Sequence, residues 1–344
     1  MRACVCKKWG PPSSLTIEES LPIPTPRRGE VLVAVAACGV NYPDLLVVQG
    51  KYQMKPPLPF APGTEVSGVI TQVGEGCTRF RVGDRVVALV SFGGFATDIV
   101  AKEKMVAPLP LGMDFITGAS FGLAYGTADY ALRERAKLRK GELVLVLGAS
   151  GGVGLAAVQL AKAAGATVIA AASTSDKLQI CRDSGADILL NYRERSGDGE
   201  AKGGRGGGSW RGALKRLVGE RGVDVVVDNV GGADCEASEE LSMAIGGRYL
   251  VIGFASGSIP APPLNLVLLK EIAVIGVFFG AWFQRDPEGG AKQLGELARQ
   301  FQEGAIRPLV SRVYPLEQAP RALEDMAARK VVGKLVIQTR PSKL

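Results

Sequence analysis

Histidine is absent from all 344 residues. Ser-His-Asp and Cys-His nucleophile systems are thereby excluded, as is every metal site that depends on imidazole. Acid–base chemistry falls to Tyr, Lys, Asp, Glu, Ser, Thr or Cys. The six cysteines (Cys4, Cys6, Cys38, Cys77, Cys181 and Cys235) contain no C-x-x-C pair. Scattered in this way they read as free thiols of a reducing compartment, neither a disulfide framework nor a catalytic set. Long apolar runs are missing too. Residues 1–10 are interrupted by Lys7 and Lys8, so no secretion signal is expected there. The most apolar stretch, 264–283, is split by Lys270 and Glu271, short of the ~20 unbroken apolar residues of a membrane span.

What is present is ordinary for a globular protein. Hydrophobic residues at 47% and charged residues at 22% exclude general disorder and fibrous structure, and the length suits about two domains. With 45 glycines and 20 prolines, many tight turns are implied. The net charge of +7 suits a protein that handles phosphorylated or other anionic small molecules and does not require nucleic acid.

The chain changes pattern along its length. Up to about residue 108, short apolar segments at 31–37, 65–74 and 84–89 alternate with turn residues, as in a β-rich domain. A short helix at 42–49 is expected behind Asn41, a good N-cap type. From about residue 122, strands at 142–148, 167–172, 187–190, 223–228 and 247–253 alternate with helices at 152–164, 175–183, 210–219 and 233–244. This alternation predicts a doubly wound α/β domain. Two further helices, from 289 to about 302 and at 316–329, and a strand at 331–338 resemble neither half. The run G-G-R-G-G-G-S within 196–209 reads as a surface loop, with an RGG-like RNA-binding tail as the weaker alternative because it has no aromatic residues.

The strongest local signal is G-A-S-G-G-V-G at 148–154, placed directly after a strand and opening a helix. In this context Gly148 permits the turn, and Gly151 and Gly152 let the backbone approach a pyrophosphate. Gly154 allows close helix packing, and the helix start offers the N–H groups of Ser150 to Gly154, Val153 among them. The following strand ends at Ser173, Thr174, Ser175 and Lys177. An NAD site usually carries an acid about 20 residues past the glycines, whereas a 2′-phosphate needs hydroxyls and cations, so NADPH is expected. Asp176 would reverse the preference if it pointed inward in place of Lys177.

The segments C-G-V-N-Y-P-D at 38–44, P-G-T-E-V-S-G at 62–68, V-G-D-R-V at 82–86, G-A-S-G-G-V-G at 148–154, G-A-D-I-L-L-N-Y at 185–192, D-N-V-G-G at 228–232, G-V-F-F-G at 276–280 and G-K-L-V-I at 333–337 occur in one order across nearly the whole chain. Together they resemble the zinc-independent quinone oxidoreductase branch of the medium-chain dehydrogenase/reductase superfamily. The resemblance implies a GroES-like catalytic domain (1–122 and 288–344), a Rossmann NADPH-binding domain (123–287), and hydride transfer in the cleft between them. It also implies a small electrophilic acceptor, and a homodimer is expected in which the apolar segment 272–279, as the edge of the Rossmann sheet, pairs with its symmetry mate, since an exposed apolar edge would otherwise invite aggregation. By the same resemblance Asn41, Tyr42 and Tyr52 are the candidate hydrogen-bond or proton donors to that acceptor. Thr127, Tyr192, Asn229, Phe254, Phe278 and Lys334 are expected to join Ser173 and Lys177 around the cofactor, although Lys334 has a solvated strand lysine as its alternative reading.

Zinc alcohol dehydrogenases of the same superfamily carry a zinc-binding Cys where this chain has Asn41, and G-H-E where it has Gly63, Thr64 and Glu65. The structural-zinc cysteine cluster is also missing, and no metal is expected. Reduction of quinones or conjugated α,β-unsaturated carbonyls needs less help from a Lewis acid than alcohol oxidation does, because the charge that hydride brings spreads onto an oxygen. An enoyl-thioester reductase is the close alternative, and an NADPH-binding protein without turnover, crystallin-like or RNA-binding, is the alternative of another class. The tripeptide Ser342-Lys343-Leu344 has the form of a peroxisomal address read by the import receptor, with a cytoplasmic location as the alternative.

Overall fold

The computed structural model describes residues 1–193, 210–232 and 242–340. The glycine-rich stretch of 196–209, Cys235 and Ser342-Lys343-Leu344 lie outside them. Two compact units are present, one of residues 1–126 with 280–344 and one of residues 127–279. The sequence had set the divisions at 122/123 and 287/288. Among the described residues no helix is long and apolar enough to cross a membrane.

The first unit contains β1 (Ala3–Val5), β2 (Thr16–Glu18), β3 (Glu30–Val40), α1 (Tyr42–Val48), β4 (Glu65–Val73), β5 (Arg85–Leu89), β6 (Asp98–Lys102), β7 (Val106–Pro108), α2 (Phe115–Gly118) and the start of α3 (Gly122–Asp129). Strand β3 is its spine. Ten of its eleven residues are buried, and it pairs antiparallel with β4, β6 and a strand from the far end of the chain. Both of its faces are covered, which is why V-L-V-A-V-A-A reads as a continuous apolar run rather than an alternating one.

The second unit contains β8 (Leu143–Leu147), α4 (Gly152–Ala163), β9 (Thr167–Ala172), α5 (Ser175–Asp183), β10 (Ile188–Asn191), α6 (Trp210–Val218), β11 (Val223–Asp228), β12 (Met243–Val251), α7 (Leu264–Leu269) and β13 (Ala273–Gly276). Its parallel sheet has the order β10-β9-β8-β11-β12-β13. This is the doubly wound order in which the direction of winding reverses between the first and fourth strands, here β8 and β11. The turns leaving β8 and β11 therefore lie side by side.

The chain returns to the first unit through α8 (Phe279–Arg285), α9 (Pro287–Gln302), β14 (Val310–Pro315), α10 (Ala319–Ala327) and β15 (Lys334–Gln338). The segment that resembled neither half completes the seven-stranded sheet, β14-β15-β3-β4-β5-β7 with β6 paired to β3 off that path. Among the boundaries that differ from the sequence reading, two have a clear backbone cause. Residues 243 and 244 belong to a strand rather than to the end of a helix, because Met243 pairs with Val223 ahead of an irregularity at Gly246, whose φ of +71° no helix accommodates. The last strand starts at Lys334 rather than 331, since Gly333 at φ +60° turns the chain just before pairing begins.

Candidate functional site

The glycine turn after β8 is built by close approach. Gly148 has φ +63°, a region costly for a side chain, and a Cβ there would also lie 2.8 Å from Val230 Cγ2. A Cβ on Gly154 would fall 2.3 Å from the Gly148 carbonyl oxygen and 2.7 Å from that of Ala149, so α4 packs directly on the turn. Gly151 is the N-cap of α4, and no side chain caps it. The N–H groups of Gly152, Val153 and Gly154 open the helix without intrahelical acceptors, as in an anion site. A Cβ on Gly151 would meet nothing nearer than the Gly148 oxygen at 3.5 Å, which leaves open space over the turn. Ser150 is buried within it.

At the end of β9, Thr174 caps α5, its hydroxyl oxygen accepting the Lys177 N–H at 3.4 Å. Lys177 is half-buried while Asp176 is exposed, so the cation and not the acid is turned in. Burial, and then the nearby charge of Arg193, holds the Lys177 ammonium below its ordinary pKa. Ser173 and Tyr192 are half-buried at the ends of the paired strands β9 and β10. Two cations set close enough to repel form a natural seat for a doubly charged phosphate. Arg193 was missed by sequence reasoning. Its signal was the cation that directly follows N-Y at a strand end one place over from β9.

The turn after β11 is organised by buried Asp228. Its Oδ1 accepts the N–H groups of Val230 at 2.8 Å and Gly231 at 2.9 Å, and its Oδ2 accepts the Tyr249 hydroxyl at 2.5 Å. Asn229 is thereby presented beside the glycine turn, where its Nδ2 donates to the Leu147 carbonyl at 3.0 Å. Its Oδ1 is buried and has no protein partner. An orphaned acceptor in such a place fits a ligand hydroxyl. Phe254 is half-buried against Gly231, and Phe278, just past β13, is 57% exposed. Thr127 is buried within α3.

In the first unit the structure gathers Asn41, Asp44, Glu65 and Lys334 into one buried polar cluster. Lys334 Nζ donates to Glu65 Oε1 at 2.5 Å and to Asn41 Oδ1 at 2.6 Å. Asn41 Nδ2 donates to Glu65 Oε1 at 3.1 Å and, at 3.4 Å, to the Gly39 carbonyl. Asp44 Oδ2 accepts the Asn41 N–H at 2.8 Å, closing the first turn of α1 in the manner of a capping box. Burial, opposed by this bond and by Lys334, pushes the Asp44 carboxyl up to about 7.

The reading of Lys334 as a solvated strand lysine is overturned, because its side chain is 7% exposed and ion-paired. Its ammonium is engaged by Glu65 and Asn41. Glu65 itself was quoted only as part of a motif, and nothing local marks it as the hub. Tyr52 and Tyr42 are half-buried and pack against the same core. Burial, and then the charge of Asp44, raises the Tyr52 phenol above its ordinary pKa.

Comparison with known proteins agrees with this geometry. Residues 27–111 match the family model "Alcohol dehydrogenase GroES-like domain", and residues 152–294 match "Zinc-binding dehydrogenase". Bovine quinone oxidoreductase-like protein 2 is 36% identical over 98% of this chain and 93% of its own length. Rat quinone oxidoreductase is 34% identical over 98% and 97%. Among solved structures, Escherichia coli quinone oxidoreductase complexed with NADPH superposes with a TM-score of 0.88 at 29% identity, covering 98% of this chain and all of that one.

Proposed function

Because the chain belongs to the medium-chain dehydrogenase/reductase superfamily, in its quinone oxidoreductase group, we propose that it is an NADPH-dependent reductase of quinones and other conjugated α,β-unsaturated carbonyls. The observation that carries this reading is the cation pair Lys177 and Arg193 behind an uncapped glycine turn. An acid would stand there in a site for NADH.

The residues fit the cofactor. The N–H groups of Gly152, Val153 and Gly154 hold its pyrophosphate, and Asn229 Oδ1 takes a ribose hydroxyl. Lys177 and Arg193 bracket the 2′-phosphate, with Ser173 and Tyr192 beside them. When bound, NADPH supplies a hydride. The chain must then stabilise the negative charge that reaches the acceptor oxygen and, for an enone, deliver a proton to carbon. Tyr52 suits the first task, since a phenol with a raised pKa stays protonated at neutral pH and donates a hydrogen bond, and it is the candidate for the second by its place on the segment after α1.

No metal is required by this chemistry. An amide at Asn41 and a hydroxyl at Thr64 are poor zinc ligands, and Glu65 is already neutralised by the Lys334 ammonium. The test is cofactor oxidation with NADPH and NADH on a panel of quinones, enones and enoyl-CoAs. NADPH-specific turnover of quinones or enones supports the proposal. Turnover of enoyl-CoA alone moves the substrate to thioesters, and tight NADPH binding without turnover makes the protein a binder.

The same group membership favours a homodimer joined at the edge strand β13. Val274 on that strand is 46% exposed, and Leu264, Leu268 and Leu269 on α7 are each more than 70% exposed. An apolar edge of this kind calls for a cover. Sedimentation at micromolar concentration should give the dimer mass, and a monomer would refute it.

A further inference from the structure

We propose that Glu65, held by Lys334, is the positioning residue of the acceptor side of the site, fixing Asn41, α1 and the first turn of α3 in one geometry. In naming what is positioned, the proposal rests on the reductase reading above.

Glu65 makes contact with segments that are remote in sequence. Its Oε1 accepts from Lys334 Nζ at the start of β15 and from Asn41 Nδ2 at the start of α1. Its Oε2 accepts the Leu123 N–H at 2.8 Å, at the start of α3. The Asn41 amide is clamped at both ends, its oxygen by Lys334 and its nitrogen by Glu65, so its orientation is fixed by the pair. Asn41 in turn hands its backbone N–H to Asp44, and the chain runs from α1 through Gly50 to Tyr52. One carboxylate thus governs the segment that carries all three candidate donors.

The surroundings are shaped to admit it. A Cβ on Gly39 would lie 2.4 Å from Glu65 Oε1 and 2.0 Å from the Ala119 carbonyl oxygen, so only glycine lets the carboxylate through to α3. The pair is almost sealed from water, with side-chain exposures of 7% for Lys334 and 2% for Glu65. A buried pair of this kind gives little net stability over apolar residues of similar volume, because desolvation cancels most of the attraction. What an apolar pair would not supply is direction. Glu65 Oε1 takes both Lys334 and Asn41 while Oε2 takes the Leu123 N–H, so the contribution left for the pair is orientation.

The experiment separates orientation from stability. Glu65→Gln and Lys334→Met each strand a buried partner, and both should lower the melting temperature. The double variant Glu65→Leu/Lys334→Met removes both charges and should recover the part due to a stranded charge, though the Asn41 amide and the Leu123 N–H still lose their partners. In the double variant NADPH affinity, read by fluorescence titration, stays within about 2-fold of wild type, while kcat on the best acceptor falls by about 10²-fold, the usual effect of a ~1 Å misplacement. Hydrogen exchange at the amides of Asn41, Asp44 and Leu123 rises in the full chain.

Should the double variant fail to fold, Lys334→Arg keeps the charge but replaces a compact ammonium by a planar fork. It should retain the melting temperature and show the same selective loss of kcat and protection. Wild-type kcat together with wild-type exchange in the folded variant would overturn the proposal. A wild-type protein that turns over no acceptor sinks the reductase reading alone, since hydrogen exchange still decides whether Glu65 positions these segments.

Discussion

Replacing Gly151 by alanine separates what the fold requires from what a ligand requires. At Gly154 the reason for glycine is internal. A Cβ there sits about 1 Å inside van der Waals contact with two carbonyl oxygens of the turn. Gly154→Ala is overpacked, at a cost of about 1–3 kcal/mol, or a fall of roughly 2–10 °C in melting temperature. Gly151 has no such constraint. Its φ of −79° and ψ of 172° suit any L residue, and the nearest atom to an added Cβ is 3.5 Å away. The protein alone has room for the methyl group, so Gly151→Ala should cost at most about 1 kcal/mol, the difference between glycine and alanine at an N-cap. A pyrophosphate over the turn does not have that room. The methyl would hold it off the N–H groups of Gly152 and Val153, and two charge-assisted hydrogen bonds at roughly 1.5–3 kcal/mol each amount to an affinity loss of at least ~10²-fold. Thermal melting and NADPH fluorescence titration of the two variants read both quantities. Wild-type NADPH affinity in Gly151→Ala would refute the placement of the pyrophosphate on this turn.

Three further outcomes are expected. Lys177→Ala should weaken NADPH binding by about 10- to 150-fold and NADH binding far less, as competition titrations will show; equal losses would defeat the 2′-phosphate assignment. Asp44 has a folded-state pKa of about 7, above its ordinary 3.8, so its contribution to stability is full below pH ~4 and is lost as pH rises through ~7. By linkage this loss is up to about 4 kcal/mol, and Asp44→Asn should flatten the melting temperature between pH 5 and 8; an unchanged slope would show that Asp44 is ionised throughout. Tyr52→Phe should lower turnover by about 10²–10⁴-fold on acceptors that need carbon protonation and only mildly on quinones, with NADPH affinity intact. A lost NADPH affinity with normal turnover at saturation would place Tyr52 elsewhere.

The nucleotide-binding unit was readable from the sequence because its signals are local. The preceding strand, the turn at 148–154 and the cation Lys177 that follows β9 all fall within residues 143–177, about the span of one βαβ unit. The acceptor side was not readable to the same degree. Lys334 stands in the run V-V-G-K-L-V-I, where period and composition describe only a strand, and Glu65 opens another strand. That the two meet at 2.5 Å follows from β15 pairing with β3, which pairs in turn with β4. Pairing between strands so far apart in the chain leaves no mark in either segment. Arg193 was missed for a similar reason, since exposure and the proximity of charges are properties of the assembled turns, and Asn229 was expected through the family resemblance alone, its unmet Oδ1 being visible only in the fold.

The seven-stranded sheet also sets a timetable for synthesis. Glu65 leaves the ribosome 269 residues before Lys334, and β3 emerges long before the strand that completes one side of it. Throughout that interval the first unit carries an acid destined for its interior and an open sheet edge, while the nucleotide-binding unit, continuous in sequence, has all its strands available once β13 has emerged. The inserted unit should therefore be the first to become protease-resistant on stalled nascent chains. The outer unit should gain resistance only when β15 has cleared the exit tunnel, which makes its last strand the latch that ends the vulnerable period.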